Sequence, residues 1–459
     1  MVFPNWQAPD RAVDMKDPGT KDSLRGGYNV FYSSAVRGSI EKLLGAPHYS
    51  YYFAESKFVS ALENRGFEPQ KLQMPEFYNN RASLPEGTCN SAFPDVHLIF
   101  RSTEQFRLLK FARNVCCFAW EFDVLKDQTL PEEHPFLNQK RMLGLCDEVW
   151  VPCSYTQRTL VSHGLEDVYL IPAPVAEPDS PRLPLMRALS QIGHCVVAPL
   201  RYNFLLSPEQ NKARSRDLTS TLAEYIDNRL QVSKDLRIYL TILNPEDFRK
   251  NLDAMLRGFH HFSAGRSDVL LLVKVLTSES RFDLLDVTSS VIANKLDSGT
   301  TISSDNIVFF NDFLTDEEMD HLFHLADYYL CTSLCEGQNL PLLEAMAHGV
   351  VPITTANTAM ADYIDGEHAI VIEDQSVPND IIHLAGTVAG KPFSIRRSRS
   401  DQVYAALKHS DDLTDFRRAE MSEKARQVVR RQYAPEVVCE KIERRLEVLA
   451  VPSSRAEHA

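Results

Sequence analysis

The first third of the chain alternates short apolar runs with longer stretches in which apolar residues recur at helical spacing. The apolar runs are YNVFYS (28–33), VHLIF (96–100), VCCFAW (115–120), EVWVP (148–152) and VYLIP (168–172). Amphipathic stretches lie near 55–65, 104–113 and 154–163. Short β-rich runs separated by helical stretches predict a parallel sheet with helices on both faces.

The same alternation returns in the second half of the chain. Its apolar runs are LRIYLTIL (236–243), VLLLVKVL (269–276), NIVFFN (306–311), DYYLCTS (327–333), VVPITT (350–355) and AIVIE (369–373). Helices are predicted over 249–263, 279–297, 315–325 and 341–348. Residues 176–235 break the pattern with Pro178, Pro181 and Pro184 and are interpreted as a linker plus insertion.

The pattern therefore predicts an α/β protein of two Rossmann-like doubly wound domains that face a central cleft. The predicted parts are an N-terminal arm (1–25), a first domain (26–175), the linker or insertion (176–235), a second domain (236–410) and C-terminal helices (411–459) that pack back across the cleft. Ligands of open α/β sheets bind at the carboxyl ends of the strands, so the cleft between the domains is the expected site.

The composition of the 459-residue chain argues against some classes of binding partner. Lys and Arg number 49 against 62 Asp and Glu, and a net charge of −13 argues against nucleic acid as a partner. No apolar stretch approaches the roughly 20 residues that span a bilayer, and the polar segment 1–21 does not resemble a signal peptide, so a cytoplasmic protein is expected. The nine cysteines lack zinc-ligand spacing and are expected to be reduced and packed.

The segment CTSLCEGQNLPLLEAMAHGVVPITT (331–355) carries the most chemistry. Pro341 suits the first turn of a helix and Gly349 suits its left-handed end. Free N–H groups at the helix start form an anion site suited to a diphosphate. Glu344, one turn inside, can accept two hydrogen bonds from a ribose diol. In the alternative interpretation, Glu344 only stabilises the helix start and Glu336 is a solvated loop residue.

This segment closely resembles the donor-binding signature of the retaining glycosyltransferases of family four, which have the GT-B fold. TILNPEDFRKNLDAMLRGF (241–259) is similar to that family's first strand-loop-helix, where a basic pair holds the donor diphosphate. Lys250 matches the family lysine, whereas the arginine position falls near Asn244 or Pro245, which leaves Arg249 as a substitute. CDEVWVPCSYTQRTLVSHGLEDVYLIPAPV (146–175) resembles the last strand-helix-strand of the N-terminal domain, with Ser154 at the family serine.

The resemblance implies three groups of site residues. The catalytic group is Glu336, Lys250 and Arg249. The donor-binding group is Glu344, Gly337, Gln338, Asn339, Leu340, Ser154 and Asn244. The acceptor-side group consists of residues in or after the first-domain strands: His97, Arg101, Trp120, Glu121 and Asp123. His97 lies within its strand, so a core role for it stays open, and a purely structural role stays open for the other four residues.

The implied reaction moves a sugar, with retention, from a nucleotide-diphosphate donor to a hydroxyl of a glycan or lipid-linked glycan in bacterial surface polysaccharide synthesis. No cofactor and no metal ion are expected. RLLKFAR (107–113) could contact the inner membrane as a basic amphipathic helix or pack on the sheet. Three alternatives stay open: a sugar-nucleotide epimerase, a phosphorylase with pyridoxal phosphate on Lys274, and a non-catalytic nucleotide- or glycan-binding scaffold.

Overall fold

The protein is described by a computed structural model over residues 27–34, 50–127, 134–178, 181–277, 283–292, 295–296, 299–378 and 393–450. The predicted N-terminal arm lies outside these residues, and so does the end of the predicted C-terminal helical region, 451–459.

The first sheet is parallel throughout its described strands, in the order β2-β1-β3-β4-β5-β6. Its strands are β1 (Asn29–Ser34), β2 (Gln70–Lys71), β3 (Asp95–Phe100), β4 (Arg113–Cys117), β5 (Glu148–Val151) and β6 (Val168–Leu170). All six residues of β3 are buried, as expected for an inner strand covered on both faces.

The second sheet has the order β14-β13-β12-β9-β10-β11-β7-β8 among its described strands. Its strands are β7 (Val196–Asn203), β8 (Ser220–Thr221), β9 (Arg237–Leu243), β10 (Val269–Val275), β11 (Thr301–Phe310), β12 (Tyr328–Cys331), β13 (Val351–Thr354) and β14 (Ile370–Val371). The strand order reverses beside β9, which pairs with β10 on one side and β12 on the other. β15 (Gln375–Pro378) and β16 (Ser394–Arg397) form a separate antiparallel pair.

Helices cover both sheets, which confirms the predicted α/β class with two Rossmann-like domains. They are α1 (Ser50–Asn64), α2 (Gln139–Leu143), α3 (Ser154–Ser162), α4 (Leu185–Ile192), α5 (Pro208–Arg216), α6 (Leu222–Val232), α7 (Leu252–Phe262), α8 (Leu284–Asp286), α9 (Asp316–Leu325), α10 (Leu340–Ala347), α11 (Ser400–Asp412), α12 (Asp415–Gln432) and α13 (Pro435–Ala450).

Residues 181–235, which the sequence pattern assigns to a linker or insertion, contribute to the second domain. β7 pairs antiparallel with β11, and β8 pairs antiparallel with β7. Leu189 and Leu222 are buried in the same core as Leu240 of β9. β7 pairs antiparallel with a strand that lies far along the chain, so it does not follow the alternation of neighbouring parallel strands and helices from which the domains were predicted.

The C-terminal helices connect the two domains. α12 packs on α10 in the second domain, and α13 packs on α1 and β3 in the first. Val438 and Ile442 of α13 share a core with Phe58. The chain passes between the domains once after β6 and again between α12 and α13. These two segments are in contact, because the Val175 amide donates to the Tyr433 carbonyl at 2.8 Å.

The segment 107–113 is not an amphipathic helix. A single 3-10 turn ends at Gln105, Leu109 is fully buried, and Arg113 already begins β4. Its apolar side chains therefore pack within the first domain. Among the helices of the described ranges, none is long and apolar enough to cross a membrane.

Candidate active site

The start of α10 lies at the carboxyl end of β12, next to the point where the strand order reverses. Asn339 precedes the helix in the left-handed conformation, with φ of 65°, and its side chain makes no capping hydrogen bond. Pro341 falls in the first turn, where its missing N–H costs nothing. Gly349 follows the helix with φ of 74°, the predicted left-handed ending. The first-turn amides and the helix dipole thus form an anion-binding end.

Glu336 lies in the loop before α10 and is only 6% exposed. Its Oε1 atom is 2.5 Å from Lys250 Nζ and accepts a hydrogen bond from Ser333 Oγ at 2.7 Å. Its amide donates to Thr358 Oγ1 at 2.8 Å, and Thr358 has a strained positive φ of 45°. The carboxylate is therefore held by partners from several segments rather than solvated.

The basic pair follows β9 in a 3-10 turn, Phe248–Lys250. Asn251 next to it has φ of 51°, a left-handed position before α7. Burial alone would lower the pKa of Lys250, but the charges of Glu336 and Asp247, together with the hydrogen bond to Glu336, raise the pKa. The ammonium is thus fully charged at neutral pH.

Arg249 is neutralised by two carboxylates. Its guanidinium contacts Asp247 at 2.6 Å, and its Nη1 atom pairs with Glu121 of the first domain. Burial alone would lower the pKa of Arg249, and the charges of Glu121 and Asp247 raise it. Asn244, at the family arginine position, instead accepts the Glu246 amide at 3.0 Å in a turn.

Glu344 forms an ion pair with Lys57 of α1, with Nζ and Oε1 2.6 Å apart. Burial alone would lower the pKa of Lys57, but the charge and hydrogen bond of Glu344 raise it. Sequence reasoning did not find Lys57, since a lysine on an amphipathic helix carries no signal that marks it.

The loop between Glu336 and Glu344 contacts the first domain directly. The Gln338 side-chain amide donates to the Ala173 carbonyl at 2.7 Å and accepts the Ala173 amide at 3.0 Å. A Cβ on Gly337 would lie 3.2 Å from the Ala119 Cβ. Leu340 packs against core residues of both domains. The predicted donor-binding residues 337–340 therefore lie at the interface of the two domains.

Ser154 also lies at this interface, at the start of α3. Its amide donates to Asp362 Oδ2 at 2.6 Å, and its hydroxyl donates to Asp362 Oδ1. Asp362, which follows β13, was not found from the sequence, because a lone aspartate after a strand is a common surface residue.

Three of the acceptor-side residues follow β4 and reach the cleft. Glu121 contacts Arg249, Trp120 stacks on Phe118, and Asp123 accepts the Ser394 amide at 3.2 Å. Burial raises the pKa of Glu121 even though the charge of Arg249 opposes this.

The other two acceptor-side residues are buried in the first domain. His97 is fully buried: its Nδ1 atom donates to Asn114 Oδ1 at 3.1 Å, and its Nε2 atom accepts from Ser33 Oγ at 2.9 Å. This placement favours the core role, and burial lowers the pKa of His97 to about 4. Arg101 is 4% exposed and donates to the Gln73 carbonyl at 3.3 Å.

A cavity of about 10 Å³, close to the room one water molecule needs, lies beside the Lys250–Glu336 pair. Its lining residues are Thr241, Ile242, Leu243, Lys250, Met255, Tyr329, Cys331, Thr332, Ser333, Glu336 and Asn339. Lys274 lies elsewhere: its Nζ donates to the Asp312 carbonyl at 2.6 Å, and burial lowers its pKa to about 8. Within the described ranges, no group of three or more His, Cys, Asp or Glu side chains is arranged to hold a metal ion.

The fold and the site define a two-domain protein of the GT-B class. Residues 275–387 match the family model described as glycosyl transferases group 1, and this segment contains Glu336 and Glu344. The resemblance inferred from the motif is thus confirmed by the family model over this segment of the second domain. No curated protein matches the chain by sequence.

Solved structures show the same fold at low sequence identity. A glycosyltransferase from Rickettsia africae is 11% identical, with 93% of this chain and 100% of that chain covered, at a TM-score of 0.54. A UDP-forming α,α-trehalose-phosphate synthase from Burkholderia vietnamiensis is 12% identical, with 88% and 80% covered, at 0.50. S. aureus TarM is 12% identical over 77% of this chain, at 0.47, and the chain spans only 55% of its length.

Proposed function

We propose that the protein is a retaining, metal-independent glycosyltransferase that moves a sugar from a nucleotide-diphosphate donor to a hydroxyl acceptor. One observation carries the proposal. Lys250 and Glu336 form a buried pair beside the uncapped start of α10, at the point where the strand order reverses, and Glu344 lies one turn inside that helix. Doubly wound sheets bind nucleotides at such a point.

The chemical demand of the reaction is charge stabilisation. The departing diphosphate gains negative charge while the sugar becomes oxocarbenium-like, so fixed positive groups must face the phosphates. Lys250, Arg249 and the first-turn amides of α10 supply them from rigid elements. Glu344 would accept hydrogen bonds from the ribose hydroxyls, and Glu336 from hydroxyls of the donor sugar.

Retention needs no protein nucleophile if the acceptor attacks the face from which the diphosphate leaves. The leaving phosphate then takes the acceptor proton, and the enzyme holds donor and acceptor in contact while water is excluded. The interface loops around Gly337 and Trp120 would enclose the reacting atoms. This arrangement assigns positioning and electrostatic roles to the site residues.

The proposed acceptor is a glycan or lipid-linked glycan of bacterial surface polysaccharide synthesis on the cytoplasmic side. Trp120 follows β4 at the cleft and would face it, since aromatic rings stack on sugars. Contact with the inner membrane is not part of the proposal, because residues 107–113 pack within the first domain.

The test is to incubate the protein with UDP-, GDP- and ADP-linked sugars and a panel of glycan acceptors, with and without EDTA. The proposal expects release of one nucleoside diphosphate and a product whose anomeric configuration, read from NMR couplings, equals that of the donor. An inverted product would refute retention, and loss of turnover in EDTA would refute metal independence. A product that forms without an acceptor and keeps its nucleotide would instead support an epimerase.

A further inference from the structure

Two charged side chains of the first domain lie on the groups that the proposed function assigns to the donor. Lys57 contacts Glu344, and Glu121 contacts Arg249. Both contacts cross the cleft, because Lys57 belongs to α1 and Glu121 follows β4.

The Lys57 ammonium makes the interaction that a ribose would make. A carboxylate offers acceptor sites only, and it takes hydrogen bonds equally from hydroxyls or from an ammonium. Lys57 Nζ lies 2.6 Å from Glu344 Oε1, and the two side chains are 26% and 23% exposed. While this pair is formed, Glu344 is engaged at an oxygen that the ribose would use.

The Glu121 carboxylate makes the interaction that a phosphate would make. Asp247 takes the Nε and Nη2 edge of the Arg249 guanidinium, and Glu121 takes Nη1. Carboxylates and phosphates accept hydrogen bonds from the N–H groups of a guanidinium in the same way. Around Arg249 and Lys250, the carboxylates of Glu121, Asp247 and Glu336 outnumber the cations, so a diphosphate would meet net negative charge while Glu121 is present.

The interface is closed too tightly for a nucleotide to share it. At this interface the Gln338 side-chain amide is hydrogen-bonded to Ala173, and Ala119 covers Gly337. Donor binding therefore requires the two domains to separate.

We propose that Lys57 and Glu121 are autoinhibitory mimics of the donor, occupying its ribose and diphosphate positions and holding the cleft shut until the nucleotide displaces them. The inference rests on the proposed function. The closed form lowers the apparent affinity by the fraction of molecules that are open. Removal of either mimic should therefore tighten donor binding, the reverse of what removal of a donor contact does.

The test is calorimetric titration of a nucleoside diphosphate panel (UDP, GDP, ADP, CDP and dTDP) into wild type, Lys57→Met and Glu121→Gln. Partly exposed ion pairs are worth roughly 0.2–1 kcal/mol, so each variant should bind the cognate nucleotide up to about fivefold more tightly. The double variant should bind more tightly than either single one. The matched control is Lys424→Met, which removes ion pairs with Glu367 and Glu420 away from the cleft and should leave affinity unchanged.

Each outcome bears on a separate claim. Unchanged or weaker binding in both variants, with normal binding by wild type, overturns the autoinhibition and leaves the proposed function standing. A nucleotide bound by neither wild type nor variants overturns both. Small-angle X-ray scattering adds a measurement without ligand. Lys57→Met should have a larger radius of gyration than wild type, and an unchanged radius would contradict the proposal that Lys57 holds the cleft shut. If Lys57→Met does not fold, Lys57→Gln replaces it.

Discussion

Replacing Lys250 with Met should destabilise the second domain through the carboxylate that it leaves behind. The substitution keeps the aliphatic stem of the side chain and removes its charge, so packing is largely preserved. Glu336, which is only 6% exposed, would keep its hydrogen bond from the Ser333 hydroxyl. It would lose the Lys250 ammonium, which lies 2.5 Å away in wild type. The perturbation is therefore an uncompensated buried charge.

The size of the effect follows from burial. Removing one partner of a buried ion pair costs about 3–5 kcal/mol. The Lys250 side chain is 17% exposed and that of Glu336 is 8% exposed, so some solvent reaches the pair. We therefore expect a loss of about 3 kcal/mol, at the lower end of that range.

The assay is urea denaturation followed by fluorescence, applied to wild type, Lys250→Met and the double variant Lys250→Met/Glu336→Gln. The double variant removes both charges and should recover most of the lost stability, to within about 1 kcal/mol of wild type. Transfer activity should be lost in both. Equal stability of the single variant and wild type would refute the buried pair, and equal stability of single and double variants would show that the cost comes from lost packing.

Three further outcomes are expected. Gly349→Ala forces a side chain into a φ of 74° and should cost about 1–2 kcal/mol, whereas the control Gly366→Ala, with open space around it, should be neutral in the same melts. The pKa of His97 falls from 6.5 to about 4 on folding. As pH falls from about 6.5 to 4, the unfolded chain therefore binds a proton at His97 before the folded protein does, and the free energy of unfolding should fall by up to about 1.4 kcal/mol per pH unit. In His97→Gln this free energy should decline less steeply with pH than in His194→Gln, the control at an exposed histidine. Parallel pH curves for the two variants would contradict this. Glu336→Gln should lower turnover more than nucleotide affinity, and wild-type turnover would remove Glu336 from the site.

Much of the fold follows from local sequence rules. The βα alternation predicts both sheets, and the positions of Pro341 and Gly349 fix the two ends of α10. The placement of Glu336 and Lys250 is also predictable, because the two residues follow two neighbouring strands of the same sheet, β12 and β9. Asn251 shows a limit of such rules, since it takes the left-handed position before α7 without being glycine.

The parts that the sequence did not predict depend on long-range contacts. Ser154 and Asp362 are 208 residues apart, and neither position has a local pattern that announces the pairing. The pairing of Lys57 with Glu344 likewise depends on how the two domains meet. The sequence pattern assigns β7 and β8 to a linker because proline-rich sequence precedes them. In the structure β7 pairs antiparallel with β11 at the edge that β11 leaves open, and β8 pairs with β7.

The donor site is tested most directly by calorimetric titration of UDP, GDP, ADP, CDP and dTDP into wild type and Glu344→Ala, with and without Mg²⁺. Glu420→Ala, a substitution of a partly exposed side chain on α12, serves as the control. We predict that wild type and the control bind one of these nucleotides independently of Mg²⁺, and that Glu344→Ala binds it roughly tenfold more weakly, as expected for lost hydrogen bonds to a charged group. Equal affinity in Glu344→Ala, or binding of no nucleotide by any of the three proteins, would contradict the assignment of a nucleotide-sugar site to the start of α10.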